Sequence, residues 1–388
     1  MTRLFSVSVL AVVALSLTVF GQTPAPAESG LLVYFGTYTT GKYTSKGVYV
    51  SRLDTANGTL TPPQLAAETS SPSFLAVHPT GNFIYSVNEV STFDGKTSGA
   101  VSAFQVDRST GLLKALNQQP SVGAGPAHLV VDKEGRNVLV ANYGGGSVAV
   151  LPLEKNGKLK SASAFVQHTG SSVNPQRQKE PHAHSINLDS TGRYAYVADL
   201  GLDKILIYKF DPAKGLLTLN DPSSAGVTPG SGPRHFAFRP DGRFAFVINE
   251  MTCTITAFSH DAANGALREV HNVSALPPGS TVKQGQSGAE IQVHPSGKFL
   301  YASIRGLDSI AVFGIDQYSG RLTYIQNVAT QGNTPRGFGI EPGGGYLLVG
   351  NQNSGTVVVF RIDPQSGKLT PTGSKIEISA PVSVKFVR

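Results

Sequence analysis

The chain has 388 residues, 40% hydrophobic and 15% charged, with 43 Gly, 24 Pro and no Trp, the composition of a folded globular protein rather than a disordered or fibrous one. Its single cysteine, Cys253, excludes an intrachain disulfide, a Cys-rich zinc site and an iron–sulfur cluster, each of which needs at least two thiols. The formal charge is +7, yet the basic residues are scattered, so nucleic acid is not an expected partner.

The first element is apolar. Leu4 to Phe20 follow Arg3 and lead through Gly21-Gln22-Thr23-Pro24 to Ala25-Pro26-Ala27, a small-x-small pattern that reads as a secretory signal peptide over residues 1–27. An uncleaved anchor is the alternative, although it would need about 20 apolar residues. The expected product is an exported chain, periplasmic or secreted, with no stable membrane insertion after cleavage. Arg3 is the only charge in that segment, so the remainder keeps a net positive charge, which fits an anionic small substrate.

A repeat runs through the rest. An apolar-Pro-x-Gly turn recurs as Val77-His78-Pro79-Thr80-Gly81, Phe238-Arg239-Pro240-Asp241-Gly242, Val293-His294-Pro295-Ser296-Gly297 and Ile340-Glu341-Pro342-Gly343-Gly344, with weaker copies at Leu188–Gly192 and Val131–Gly135. Nine residues before each glycine stands Pro72, Pro126, Ala183, Pro233, Gly288 or Pro335, and Pro381 opens a last copy. A period near 50 made of short β-branched and aromatic runs bounded by Gly, Pro, Asn and Asp marks a four-stranded blade, not a helical repeat. Each unit also carries Gly-x-Leu, as in Gly111-Leu112-Leu113 and Gly265-Ala266-Leu267, where an outer strand begins.

Six units are complete. The seventh is split, with Pro381–Phe386 as its inner strand and Leu32–Gly36, Gly47–Val50 and Gly58–Leu60 as the remainder. Pairing the two ends closes the ring and removes open sheet edges. The prediction is all-β: a single-domain, seven-bladed β-propeller over residues 28–388, its closing blade shared by the N- and C-terminal segments.

In such a blade the start of the first strand and the end of the second meet on one rim of the central channel. One past the aligned Pro come Ser73, Ala127, His184, Arg234, Ala289, Arg336 and Val382, and eight past the turn glycine come Glu89, Tyr143, Leu200, Glu250, Arg305 and Gln352, with Tyr38 in the closing blade. Where Ala, Val or Leu serve in some blades, His, Arg and Glu in others point to a site. Asn88, Asn142, Asp199, Asn249 and Asn351, one residue earlier, recur too regularly for that and read as turn chemistry. His78 and His294 read as turn residues of the far rim, and His128 and His235 as packing between blades. His182 and His184 share a strand face and could ligate a metal, but no third ligand with suitable spacing is evident. Neither metal nor cofactor is expected. Cys253 reads as a small buried residue, not a nucleophile.

The run Glu180-Pro181-His182-Ala183-His184, the triplet Pro233-Arg234-His235, the pair Asn249-Glu250 and the segment Ser303-Ile304-Arg305-Gly306 together resemble the lactonase family of seven-bladed propellers. That family includes bacterial 6-phosphogluconolactonases and fungal carboxy-cis,cis-muconate cyclases, and the resemblance covers essentially the whole chain after residue 27. It implies hydrolysis of a small anionic lactone, with His184, Arg234, Glu250 and Arg305, at the positions of the site proposed in the cyclase branch, as the catalytic set; His182, Arg336, Glu89, Tyr143 and Gln352 around them are expected to bind substrate. A lactonizing cyclase is the alternative activity. A non-catalytic scaffold is the alternative class, since Tyr196-Val197-Ala198-Asp199 and Val140-Ala141-Asn142-Tyr143-Gly144 also resemble the strand repeats of surface-layer propellers. One departure is the export signal, because 6-phosphogluconolactone is a cytoplasmic intermediate.

Opening a lactone needs a base for water, donors for the oxyanion and a clamp for the anion. Glu250 between arginines should have a lowered pKa and be a poor base, whereas His184, with an ordinary value of about 6.5, is expected to take a proton near neutrality; the exchanged assignment, Glu250 as base, is the alternative. Arg234 and Arg305 are expected to bind the oxyanion and the substrate anion, with Glu250 orienting an arginine or the water.

Overall fold

A computed structural model describes residues 30–388, with Met1, Thr2, Leu4 and Phe5; the signal-peptide reading therefore lies outside the described residues. These residues contain no helix. Seven antiparallel sheets follow one another along the chain, and the seventh joins its ends. Blades 1 to 7 are numbered by their inner strands: Leu75–Val77, Pro126–Val131, Ala183–Leu188, Pro233–Phe238, Ser287–Val293, Pro335–Ile340 and Pro381–Val387. Blade 7 is completed from the N-terminal side by Leu31–Thr37, which pairs with Pro381–Val387 in the register Leu32↔Val387, Tyr34↔Lys385 and Phe35↔Val384.

The strands fold as read because both faces of each sheet are covered. Phe246 and Ile248 of blade 4 pack with Leu300, Ala302 and Ile304 of blade 5, and every other neighbouring pair of blades, including 6 with 7 and 7 with 1, shares a cluster of the same kind. The hydrophobic core is thus a ring of inter-blade layers. It leaves the axis free for polar side chains.

Two recurrent motifs have local causes. The Pro-x-Gly glycines occupy the left-handed region, with φ of 68° at Gly81 and 70° at Gly242, which disfavours any side chain there. The Gly-x-Leu glycines accept inter-blade hydrogen bonds: Tyr34 Oη donates to the Gly111 carbonyl at 2.8 Å, Tyr85 to Gly157 at 3.0 Å, Tyr196 to Gly265 at 2.9 Å and Tyr301 to Gly367 at 2.9 Å. A second-strand tyrosine therefore pins the next blade and is itself satisfied.

The far-rim reading of His78 holds, its Nδ1 2.8 Å from Thr80 Oγ1. The recurrent asparagines instead tie each blade to the segment that enters it: Asn142 Nδ2 donates to the Ser121 carbonyl at 3.1 Å and Asn351 Nδ2 to that of Thr330 at 3.2 Å. Two outer edges depart from the pattern. In blade 2, Leu159 makes only an isolated bridge to Leu153 and the outer strand is Ala164–Gln167; in blade 7, Gln64–Glu68 adds to the short Thr59–Leu60.

Candidate active site

The rim positions are set by a repeated irregularity. Pro126 pairs with Asn142 but His128 with Ala141, and the same slip occurs at Ala183/Ser185, Pro233/His235, Pro335/Gly337 and, across the closing pair, Gly36/Thr37. Each slip leaves one unpaired inner-strand residue, a β-bulge, and a bulge re-aims its side chain. The residues so placed are Ala127, His184, Arg234, Arg336 and Val382, the positions one past the aligned Pro. Blade 5 has its slip between Gly288 and Ile291, so Glu290 rather than Ala289 carries charge at the axis.

Glu250 is the hub. Its carboxylate accepts from Arg177 Nη2 at 2.7 Å, Arg234 Nε at 3.0 Å and Arg305 Nη2 at 3.0 Å. Burial alone would raise this carboxyl, but Arg305, Arg234 and Arg177 outweigh burial and hold it at about 2. It is an ionised anchor, as its place between arginines predicted.

Arg234 is fully buried and spends Nη1 on the Ala289 carbonyl at 2.6 Å, leaving Nη2 without an acceptor among the described residues. Arg305 Nη2 also donates to the Gly288 carbonyl at 3.0 Å, while its Nε is buried and unpaired. Arg305 Nη2 is therefore held by Glu250, while its Nη1 has no acceptor among the described residues. Arg336 is the opposite case: its guanidinium lies 5.3 Å over the Tyr38 ring and has no hydrogen-bond acceptor among the described residues. Tyr38 Oη donates to Glu89 Oε2 at 2.9 Å, and Ser73 Oγ donates to the same oxygen.

His184 is buried and neutral. Burial, Arg234, His235 and Arg336 together push its pKa well below 6.5, which corrects the expectation of an ordinary histidine: the sequence places the residue, but the field of two arginines is visible only in three dimensions. Its Nδ1 is buried without a partner, so Nε2 is the nitrogen left to the mouth. The Tyr143 ring meets His184 edge-on at 5.1 Å and stacks on His182 at 4.7 Å, and His182 Nδ1 lies 3.1 Å from the Tyr143 carbonyl oxygen.

The structure thus brings His184, Arg234, Glu250, Arg305, Tyr143 and His182 together, with Arg336, Tyr38 and Glu89 beside them. Gln352 stands apart, its Nε2 donating to Tyr43 Oη at 2.7 Å. Arg177 escaped the sequence reading because it lies in an inter-blade segment outside the repeat; the largest spacing in the series, between Pro126 and Ala183, was the available signal.

Below His184 the axis is lined by a chain of rings in edge-on and tilted contact. His184 to His235 is 5.2 Å, His235 to His128 5.3 Å and His128 to Phe74 4.1 Å, with Lys385 Nζ 4.5 Å over Phe74. Glu290 Oε1 lies 3.1 Å from His235 Nδ1. His128 and His235 are therefore channel residues more than inter-blade packing. His128, Glu290 and Lys385 line a cavity of about 400 Å³ at the far mouth.

This axis predicts acid sensitivity. Burial, with neighbouring cations, pushes His128, His184 and His235 well below 6.5. Their folded pKa values are depressed, so the unfolded chain binds more protons and stability is lost as pH falls below about 6.5. Burial raises the Glu290 carboxyl, which opposes the trend. Glu250, held at about 2, contributes only below the ordinary carboxylate range. Three histidines set the ceiling, so stability should fall by at most about 4 kcal/mol per pH unit between pH 6.5 and 5, less what Glu290 returns. Denaturant midpoints measured across that interval should decline steeply; a flat profile would contradict a neutral histidine axis.

Residues 32–386 match the family model described as lactonase, 7-bladed beta-propeller, and the chain belongs to that family. The 6-phosphogluconolactonase of Bacillus subtilis is 38% identical over 305 residues, which cover 79% of this chain and 83% of that protein. The 6-phosphogluconolactonase of Formosa agariphila is 35% identical over 308 residues, covering 77% and 84%. Among solved structures, the periplasmic gluconolactonase of Pseudomonas aeruginosa superimposes with a TM-score of 0.86 at 34% identity, over 92% of this chain and 99% of that one.

Proposed function

We propose that this protein is a lactonase, 6-phosphogluconolactonase-like, that hydrolyses an anionic, sugar-derived lactone. The observation that carries the reading is the charge of the mouth: Arg177, Arg234, Arg305 and Arg336 face Glu250 and Glu89, four formal positive charges against two negative, around a neutral imidazole. A surplus of positive charge gathered round the buried Arg234 favours an anion in the mouth. The relatives named above act on lactones, and two of them on a phosphorylated one, which supports the same assignment.

In this mechanism water donates a hydrogen bond to His184 Nε2 and attacks the lactone carbonyl carbon. Arg336, with the free Nη2 of Arg234, receives the charge developing on the carbonyl oxygen. Burial, Arg234 and Arg336 disfavour a protonated His184; oxyanion charge offsets the field of the arginines, so the imidazole gains basicity as the transition state forms. The acyl carbon–oxygen bond then breaks, the ring oxygen takes the proton from His184, and a hydroxy acid leaves. Arg305 and Glu250 position Arg234 and consume no proton.

The test is hydrolysis of 6-phosphoglucono-δ-lactone and glucono-δ-lactone, corrected for spontaneous opening. His184→Ala should lower kcat by roughly 10²–10⁴, the usual worth of a general base. Full activity in that variant would remove His184 from the chemistry. The apolar run at residues 4–20 and the periplasmic Pseudomonas relative support export as part of the proposal, and N-terminal sequencing of the extracytoplasmic protein tests it.

A further inference from the structure

Arg177 enters the site from the segment between Gln167 and Ala183, residues 168–182, the longest connection between consecutive blades. The segment is tied down throughout. His168 Nδ1 meets Asp199 Oδ2 at 2.6 Å, and Asp199 Oδ1 accepts the His182 backbone N–H at 2.8 Å. Ser172 Oγ donates to Asp203 Oδ2 at 2.6 Å, and buried Gln178 Nε2 donates to the Leu200 carbonyl at 2.8 Å. Asn174 Oδ1 accepts the backbone N–H of Gln176 and of Arg177, each at 3.0 Å. The loop is therefore a fixed mount that aims one guanidinium over the mouth.

That guanidinium holds Glu250 Oε1 through Nη2 alone, at 2.7 Å. Arg234 and Arg305 already share Oε2, with side chains 2% and 16% exposed, whereas the Arg177 side chain is 43% exposed. An ion pair so open to water contributes only about 0–1 kcal/mol. Arg177 Nη2 also lies 3.3 Å from Tyr143 Oη, and the Tyr143 ring abuts His184. One tyrosine thus separates Arg177 from the reacting centre. Its remaining guanidinium N–H groups have no acceptor among the described residues.

We propose that Arg177 is the specificity-determining residue of the mouth, binding the phosphomonoester carried by the substrate at the end remote from the lactone carbonyl. On substrate entry the guanidinium N–H groups that have no acceptor donate to phosphate oxygens, while Nη2 stays on Glu250 Oε1. Glu250 stays ionised throughout, because Arg234 and Arg305 remain on it. A phosphomonoester brings about −1.5 to −2 charges at neutral pH, which matches the two-charge surplus of the mouth. The assignment rests on the lactonase reading for its substrate, but its site is defined by the loop.

Binding separates the two. Calorimetry with 6-phosphogluconate and with gluconate, neither of which is turned over by hydrolysis, reads the phosphate contact without activity. In Arg177→Gln the affinity ratio of 6-phosphogluconate to gluconate should fall by about 10- to 100-fold, the worth of a charge-assisted hydrogen bond, and Arg177→Lys should recover part of it. An equal loss for both ligands would make Arg177 a support for Glu250 and overturn the proposal, as would no loss. Native protein that binds neither ligand would overturn it as well. If the ratio falls as expected while the native protein hydrolyses neither lactone, the lactonase reading fails and the Arg177 assignment stands.

Discussion

Glu250→Gln should abolish measurable hydrolysis and destabilise the protein by about 3–5 kcal/mol, the usual cost of leaving a buried charge without its partner. Glutamine keeps the shape of the side chain and one acceptor oxygen. It removes the charge that balances Arg234, Arg305 and Arg177, which approach Glu250 at 3.0, 3.0 and 2.7 Å. Arg234 suffers most, because burial, Arg336 and Arg305 already push its pKa down and Glu250 is foremost among the groups that oppose them. The stability loss should be read from denaturant midpoints, and the activity loss from lactone hydrolysis at matched folded concentration. Adding Arg305→Gln to Glu250→Gln should restore part of the stability, because it removes one of the like charges, but none of the activity. Unchanged stability in the single variant would mean that the arginines do not depend on this carboxylate.

Deleting residues 380–388 should leave no cooperatively folding protein. The lost strand, Pro381–Val387, is the inner strand of blade 7, and Val382, Val384 and Val387 are each at most 4% exposed. At about 1.5–3 kcal/mol per buried valine, their transfer terms alone are comparable with the 5–15 kcal/mol by which a domain is stable. The strand also seals its neighbours. The Leu75 amide donates to Ser383 Oγ at 3.3 Å, and a Cβ on Gly337 would lie 2.1 Å from the Val382 carbonyl oxygen, so blades 6 and 7 touch by backbone. Removing it opens blade 6 toward blade 1 and exposes the edge of Leu31–Thr37. Val384→Ala is the milder companion, at about 2 kcal/mol from two methyl groups and the cavity they leave. A truncated protein with a cooperative transition at the unchanged midpoint would refute closure by the C-terminal strand.

The propeller was legible in the sequence because its signals are local and repeated seven times. Turn glycines, alternating strands and the Pro slot recur whatever the rest of the chain does, and period and register together leave few architectures. The rim positions were legible for the same reason: a repeat's departures from itself, His184, Arg234, Glu250, Arg305 and Arg336 among them, stand out against Ala, Val and Leu. The bulges at the slot were not. A bulge is a mismatch between two strands, and only pairing reveals it.

Tertiary structure alone decided the electrostatics and the outsider. His184 has no charged neighbour in the chain close enough to depress it; Arg234, His235 and Arg336 come from blades 4 and 6, and Coulomb energy depends on distance in space, not along the chain. Arg305 and Gln352 occupy the rim positions their spacing gave them, yet one gives its Nη2 to Glu250 and the other its Nε2 to Tyr43, because a hydrogen-bonding group is claimed by whatever partner the fold brings nearest. Arg177 belongs to no repeat, and only a loop crossing from blade 2 to blade 3 carries it to a carboxylate on blade 4. Sequence determined the ring and the seats around its channel; the packing of blades against one another determined which seats are charged, which are spoken for and which are open.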